Sequence, residues 1–186
     1  MELREITYLA VALRIFAAII LGGLIGLERG LKNRAAGLRT HMLVCVGACL
    51  IMVTNQFIYQ TTGTGDPVRM GAQVISGIGF LGAGTIMVTR RHQVKGLTTA
   101  AGLWTAAGVG LALGIGFYEA AAMGSLAVFI VMTLMQKMDN RVHRKAKDFD
   151  LFVELTPALS FGNFLKEMRK LEIEVAEVQK EPSTDA

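Results

Sequence analysis

The side chains able to do chemistry in this chain are few and widely spaced. His41, His92 and His143 lie in or near different loops, while Cys45 and Cys49 stand four residues apart in the apolar run LVCVGACLIMVT. That spacing puts both thiols on one helix face. It is the spacing of a metal pair, but two small buried packing residues are the simpler expectation. No HExxH, GxSxG or CxxC pattern occurs, and no glycine loop ends in Lys-Ser or Lys-Thr. The sequence therefore predicts no enzyme and no cofactor, and leaves a metal site undefined. His41 with Glu28 is the one pair placed for acid-base work at an interface.

Gly77, Gly79 and Gly82 in SGIGFLG satisfy the GxGxxG spacing of a dinucleotide loop. That motif requires a strand before it, a helix opening within it and an acidic residue about 20 positions on. Here it falls inside an apolar stretch followed by Arg90, Arg91 and Lys95, so no nucleotide site is predicted.

The elements that must position these residues follow from composition. Of 186 residues, 52% are hydrophobic and only 18% charged, and the mean hydropathy is +0.46. This is too apolar for an ordinary soluble domain or for disorder. Five apolar blocks, at about 6–27, 40–60, 69–89, 97–116 and 118–136, approach the roughly 20 residues that a helix needs to cross a bilayer. The first ends in Glu28-Arg29 with no small-residue cleavage site, so it is expected to stay in the mature protein. The prediction is an all-α membrane protein with five transmembrane helices and the lipid bilayer as its solvent.

Arg29, Lys32, Arg34 and Arg39, then Arg90, Arg91 and Lys95, then Lys137, Arg141, Arg144, Lys145 and Lys147 fall on one side of such a topology. Only Arg4 and Arg69 fall on the other. The positive-inside rule puts the N-terminus outside and the C-terminus in the cytoplasm. The net charge of +4 is thus a topology signal, and no nucleic-acid partner is predicted.

Small residues recur every fourth position: Gly22, Gly26 and Gly30 in the first block, and Thr98, Gly102, Ala106, Gly110 and Gly114 in the fourth. With Gly77, Gly79, Gly82 and Gly84 they are expected to form helix-helix seams, which need close backbone approach. A homodimer seam or a pore lining is the alternative. Asn55, Gln56, Gln73, Ser76, Thr85, Thr98, Thr99 and Thr105 are for the most part expected to bond neighbouring helices or their own backbone.

Two charges stand apart. Arg14 lies eight residues into the first block, about 12 Å below its start, and is expected to snorkel outward to the headgroups. The alternative is a buried cation, with Glu119 as its carboxylate. Glu28, near Arg29, Arg39, Arg90, Arg91 and Lys95, is expected to join an ion-pair network clamping the basic loops, or to form a cation or partner site. No acidic residue lies near a midplane, which weakens a simple magnesium path.

After Lys147 the composition turns soluble. DLFVELTP alternates as a strand, NFLKEMRKLE has helical spacing and IEVAEVQKE alternates again, which predicts a small α/β strand-helix-strand unit over 148–181.

LGGLIGLERG, AGLRTHMLVCVGA, ISGIGFLGAGTIM and VKGLTTAAGLWTAAGVGLALG occur in this order over residues 21–114. Together they resemble the MgtC/SapB family. The resemblance implies a multi-pass bacterial plasma-membrane (inner-membrane) protein with a transmembrane domain over 1–137. Such proteins are tied to growth under magnesium limitation, to survival inside macrophages and to modulation of the ATP synthase or of membrane potential. It implies functional roles for Glu28, Arg29, Arg39, Thr40, His41, Lys95, Thr98, Thr99 and Trp104, and a tail that is part of an ACT-like domain. Three functions follow in order: a non-enzymatic regulator contacting ATP synthase or another membrane protein, an oligomeric ion transporter or channel, and an enzyme of envelope chemistry.

Overall fold

The computed structural model describes residues 5–30, 36–89, 93–145 and 161–171, with the side chains of 28 and 136–145 left aside. The chain divides into two units, Met1–Arg144 and Lys145–Ala186. The first contains α1 (Tyr8–Gly30), α2 (Leu38–Thr62), α3 (Arg69–Gly84), the strands β1 (Met87–Val88) and β2 (Val94–Lys95), α4 (Leu97–Gly114) and most of α5 (Tyr118–Lys145).

Among the described residues, four helices are long and apolar enough to cross a membrane: Tyr8–Leu27, Leu38–Thr62, Leu97–Gly114 and Tyr118–Met135. The predicted third crossing is shorter than expected. α3 stops at Gly84 after 16 residues, about 24 Å at 1.5 Å per residue, against a hydrocarbon core of about 30 Å. The reason is local. Thr85 Oγ1 donates to the Gly82 carbonyl at 2.8 Å, the Thr85 and Ile86 N–H groups fold back to Gly82 and Ala83, and the chain enters the β1-β2 hairpin, with Met87 opposite Lys95. Gly96 then starts α4 with φ +98°. A Cβ there would run into the Thr85 carbonyl, so both conformation and space require glycine.

The break between α4 and α5 falls where the reduced hydropathy of Gly114 to Glu119 predicts it. Phe117 N–H donates to Ala112 O at 2.8 Å and Gly116 N–H to Leu113 O at 2.9 Å, with Gly116 at φ +82°. This paired closure satisfies carbonyls that would otherwise be left bare at a helix end.

The core lies between α1, α2 and α4. Ala18, Ile25, Cys45, Cys49, Ala106 and Leu113 are buried together, with Ala121 and Met132 contributed by α5. A smaller cluster of Ala48, Ile78 and Ala107 joins α3 to this core. Apart from Met132 the buried members are small or branched, so close helix approach does the work that larger side chains do in water-soluble cores.

In the second unit, α6 (Phe161–Lys170) matches the helix expected from NFLKEMRKLE. The strands predicted on either side of it lie outside the described residues, as do Lys32, Arg34, Arg90, Arg91 and His92.

Candidate functional site

Arg14 is fully buried, which corrects the expectation that it snorkels to the headgroups. Depth within a span does not tell which way a side chain turns, and here the neighbouring helices offer acceptors. Its Nη1 donates to Gln56 Oε1 at 2.8 Å and to the Gly114 carbonyl at 2.8 Å, and its Nε donates to the Tyr118 hydroxyl at 3.2 Å. One guanidinium thus reaches α2, the last residue of α4 and the first residue of α5. Gly114 sits at the negative end of the α4 dipole, where a cation is favoured. Glu119 follows Tyr118 in the first turn of α5. Gln56 was legible as a polar residue within a span, but Tyr118 and the Gly114 carbonyl carried no signal in sequence.

His41 is the second buried polar centre. Its Nδ1 lies 2.9 Å from the Gly37 carbonyl. A carbonyl only accepts, so Nδ1 carries the proton. Nε2 is buried and has no hydrogen-bond partner among the described residues. The ring fits because glycines flank it: a Cβ at Gly26 would stand 2.9 Å from His41 Cβ, and one at Gly102 would stand 2.9 Å from His41 Nε2 and from Met132 Cε. Arg29, in the last turn of α1, is also buried.

The remaining predicted site residues separate. Arg39 and Thr98 are exposed, Thr40 is half-buried and Thr99 is buried. Lys95 is exposed at the end of the hairpin, and Trp104 is half exposed. The side chain of Glu28 lies outside the described residues, and with it the predicted Glu28 clamp and the Glu28-His41 pair. Among the described residues no three His, Cys, Asp or Glu side chains group to hold a metal ion.

The predicted seams divide in the same way. A Cβ at Gly22 would lie 2.7 Å from Cys45 Cβ, and one at Gly110 would run into the Cys45 carbonyl, so α1 and α4 both close on α2 through glycine. At Gly82 the approach is looser, 3.4 Å to Ala100 Cβ. Among the described residues, nothing lies within 4 Å of a Cβ at Gly77, Gly79 or Gly84. Their spacings of two and five residues lack the one-per-turn period of the Gly22-Gly26 and Gly102-Gly110 rows. Beside this open face, α3 and α4 leave a groove of about 310 Å³ lined by small apolar residues and Trp104.

The comparisons with known proteins agree with the sequence motifs. The MgtC family profile matches residues 15–141. The chain is 33% identical over 162 residues to a protein of Escherichia coli K12 named "Putative magnesium transporter YhiD", covering 84% of this chain and 75% of that one. It is 33% identical over 177 residues to Protein SapB of Bacillus subtilis, covering 91% and 76%. It is 44% identical over 121 residues to Protein MgtC of Brucella abortus, covering 65% of this chain and 49% of the relative. No solved structure matches. With the profile covering well over half its length and its GLER, GLRTH and KGLTTAAGLW segments inside the match, the chain belongs to the MgtC family of membrane proteins.

Proposed function

We propose that this protein is a non-enzymatic regulator in the bacterial plasma membrane. In this reading it supports adaptation to low magnesium and survival inside host cells by modulating ATP synthase or membrane potential through contact with another membrane complex. The observation that carries the reading is the filled centre of the bundle. Ala18, Ile25, Cys45, Cys49, Ala106 and Leu113 close it with apolar side chains, and the fully buried cation Arg14 is engaged by three helices. A conduit needs polar groups or carbonyls along its path, and the centre between α1, α2 and α4 is packed instead.

In the proposed topology α3 is a fifth, short crossing. Its inner row Gly71, Ile78 and Gly82 is buried while Phe80 and Leu81 face outward. Snorkelling of flanking residues or thinning of the bilayer accommodates a short hydrophobic stretch at modest cost. Five crossings keep the basic connections on the cytoplasmic side. The second reading is a magnesium or other ion transporter, favoured by the name of the YhiD relative.

Ion flux and proton-motive force in liposomes separate the two. The regulator reading expects no magnesium or proton flux from the purified protein alone, but altered ATP-driven proton pumping when ATP synthase is reconstituted beside it. Flux from the protein alone, abolished in Glu28→Gln, overturns it in favour of transport.

A further inference from the structure

The groove between α3 and α4 opens outward from the bundle. Its walls include Ile78, Gly79, Ala83, Ala100, Ala101 and Trp104, and all of these but Ile78 and Ala100 are exposed. A Cβ at Gly79 would meet nothing within 4 Å, so that wall is backbone. The floor is set where α3 and α4 approach at Gly82 and Ala100. The result is an open apolar groove, and in a bilayer an acyl chain is the object that matches its polarity.

One end of the groove is electrically distinctive. Ala100 and Ala101 belong to the first turns of α4, and Lys95 stands two residues before that helix begins, exposed on β2. Gly96 starts α4 without a side-chain cap, so the first N–H groups of the helix, which no helix can pair internally, belong to the same end of α4 that Lys95 precedes in the chain. Thr98 adds an exposed hydroxyl in that turn. Positive charge at the mouth and hydrocarbon in the body complement a lipid whose headgroup is a net anion.

We propose that the α3-α4 groove binds one anionic phospholipid, with an acyl chain against Gly79, Ala101 and Trp104 and its phosphate on Lys95 and the start of α4. A zwitterionic lipid also offers a phosphate, but its own cation competes with Lys95. The site accounts for residues of the KGLTTAAGLW segment that the buried centres at Arg14 and His41 do not use.

Trp104 is the only tryptophan in the chain, so its fluorescence reports on the groove alone. The full chain is reconstituted in phosphatidylcholine vesicles containing either dibrominated phosphatidylglycerol or dibrominated phosphatidylcholine at equal mole fraction, and quenching of Trp104 is titrated. The expected result is an apparent affinity for phosphatidylglycerol about fivefold higher, the scale of one cation at a membrane surface. That preference is lost in Lys95→Gln and kept in Lys95→Arg. Ala101→Leu, which fills the groove, lowers quenching by both lipids. Equal quenching of the unmodified protein by the two lipids overturns the proposal, as does an unchanged preference in a folded Lys95→Gln variant. Shielding of Trp104 from both lipids also overturns it, and assigns the groove to a protein helix such as that of a second copy.

Discussion

The Arg14 guanidinium, in the second turn of the first helix, donates at 2.8 Å to the carbonyl of Gly114, the last residue of the fourth. The same group holds Gln56 and Tyr118, so a single side chain ties the end of α4 and the start of α5 to the body of the bundle. Arginine suits the task because its planar fork presents several donors at once, while lysine presents one compact charge.

Arg14→Leu leaves the Gly114 carbonyl, the Gln56 amide and the Tyr118 hydroxyl without this donor. The expected loss is about 2–4 kcal/mol of stability, with Arg14→Lys recovering only part of it. Thermal unfolding in detergent micelles measures the loss. A folded Arg14→Leu protein as stable as the parent removes Arg14 from its structural role.

Two glycine substitutions of equal size are expected to differ. Gly102→Leu drives a side chain into His41 Nε2 and Met132 Cε, at a cost of about 1–3 kcal/mol or more for overpacking. Gly77→Leu enters open space and is expected to change stability by no more than about 0.5 kcal/mol, as for an exposed position. Labelling of the buried thiols of Cys45 and Cys49 by N-ethylmaleimide reads the difference, fast in the first variant and slow in the second. Equal labelling rates contradict the seam at Gly102.

Gly96→Ala imposes a side chain at φ +98° and against the Thr85 carbonyl. Left-handed backbone alone costs about 1–2 kcal/mol for a residue with a Cβ, and the steric conflict adds to it. Hydrogen exchange should report weakened protection in the first turn of α4 and across the β1-β2 pairing. Unaltered exchange there refutes the tight Thr85-Gly96 packing.

The hydrogen bond to Gly37 predicts which nitrogen of neutral His41 carries the proton. In ¹⁵N-histidine spectra of the bilayer-embedded protein, with His92 and His143 replaced by Gln, His41 should show a protonated Nδ1 and a bare Nε2. The opposite tautomer would mean that the ring is turned away from the Gly37 carbonyl.

Much of the bundle was legible in the chain. Four long apolar runs became helices, and the rows Gly22-Gly26 and Gly102-Gly110 became seams, because one small residue per turn is a local signal of backbone approach. Gly77, Gly79 and Gly84 are spaced by two and five residues instead, and α3 leaves the space beside each of them open among the described residues. The early end of α3 was hidden for a different reason: strands of two residues are too short to show alternation, so Thr85 to Val88 reads as a continuing apolar run. The burial of Arg14 rests on acceptors 42, 100 and 104 residues away, a relation that no window along the chain contains.

That separation also fixes an order of events in time. Gly114 is synthesised 100 residues after Arg14, an interval of about 5–20 s at bacterial elongation rates. Throughout it α1 carries a cation whose acceptors on α4 and α5 do not yet exist, and water at the headgroups is the available substitute. Arg14 therefore completes its set of hydrogen bonds only after the α4-α5 hairpin has been made.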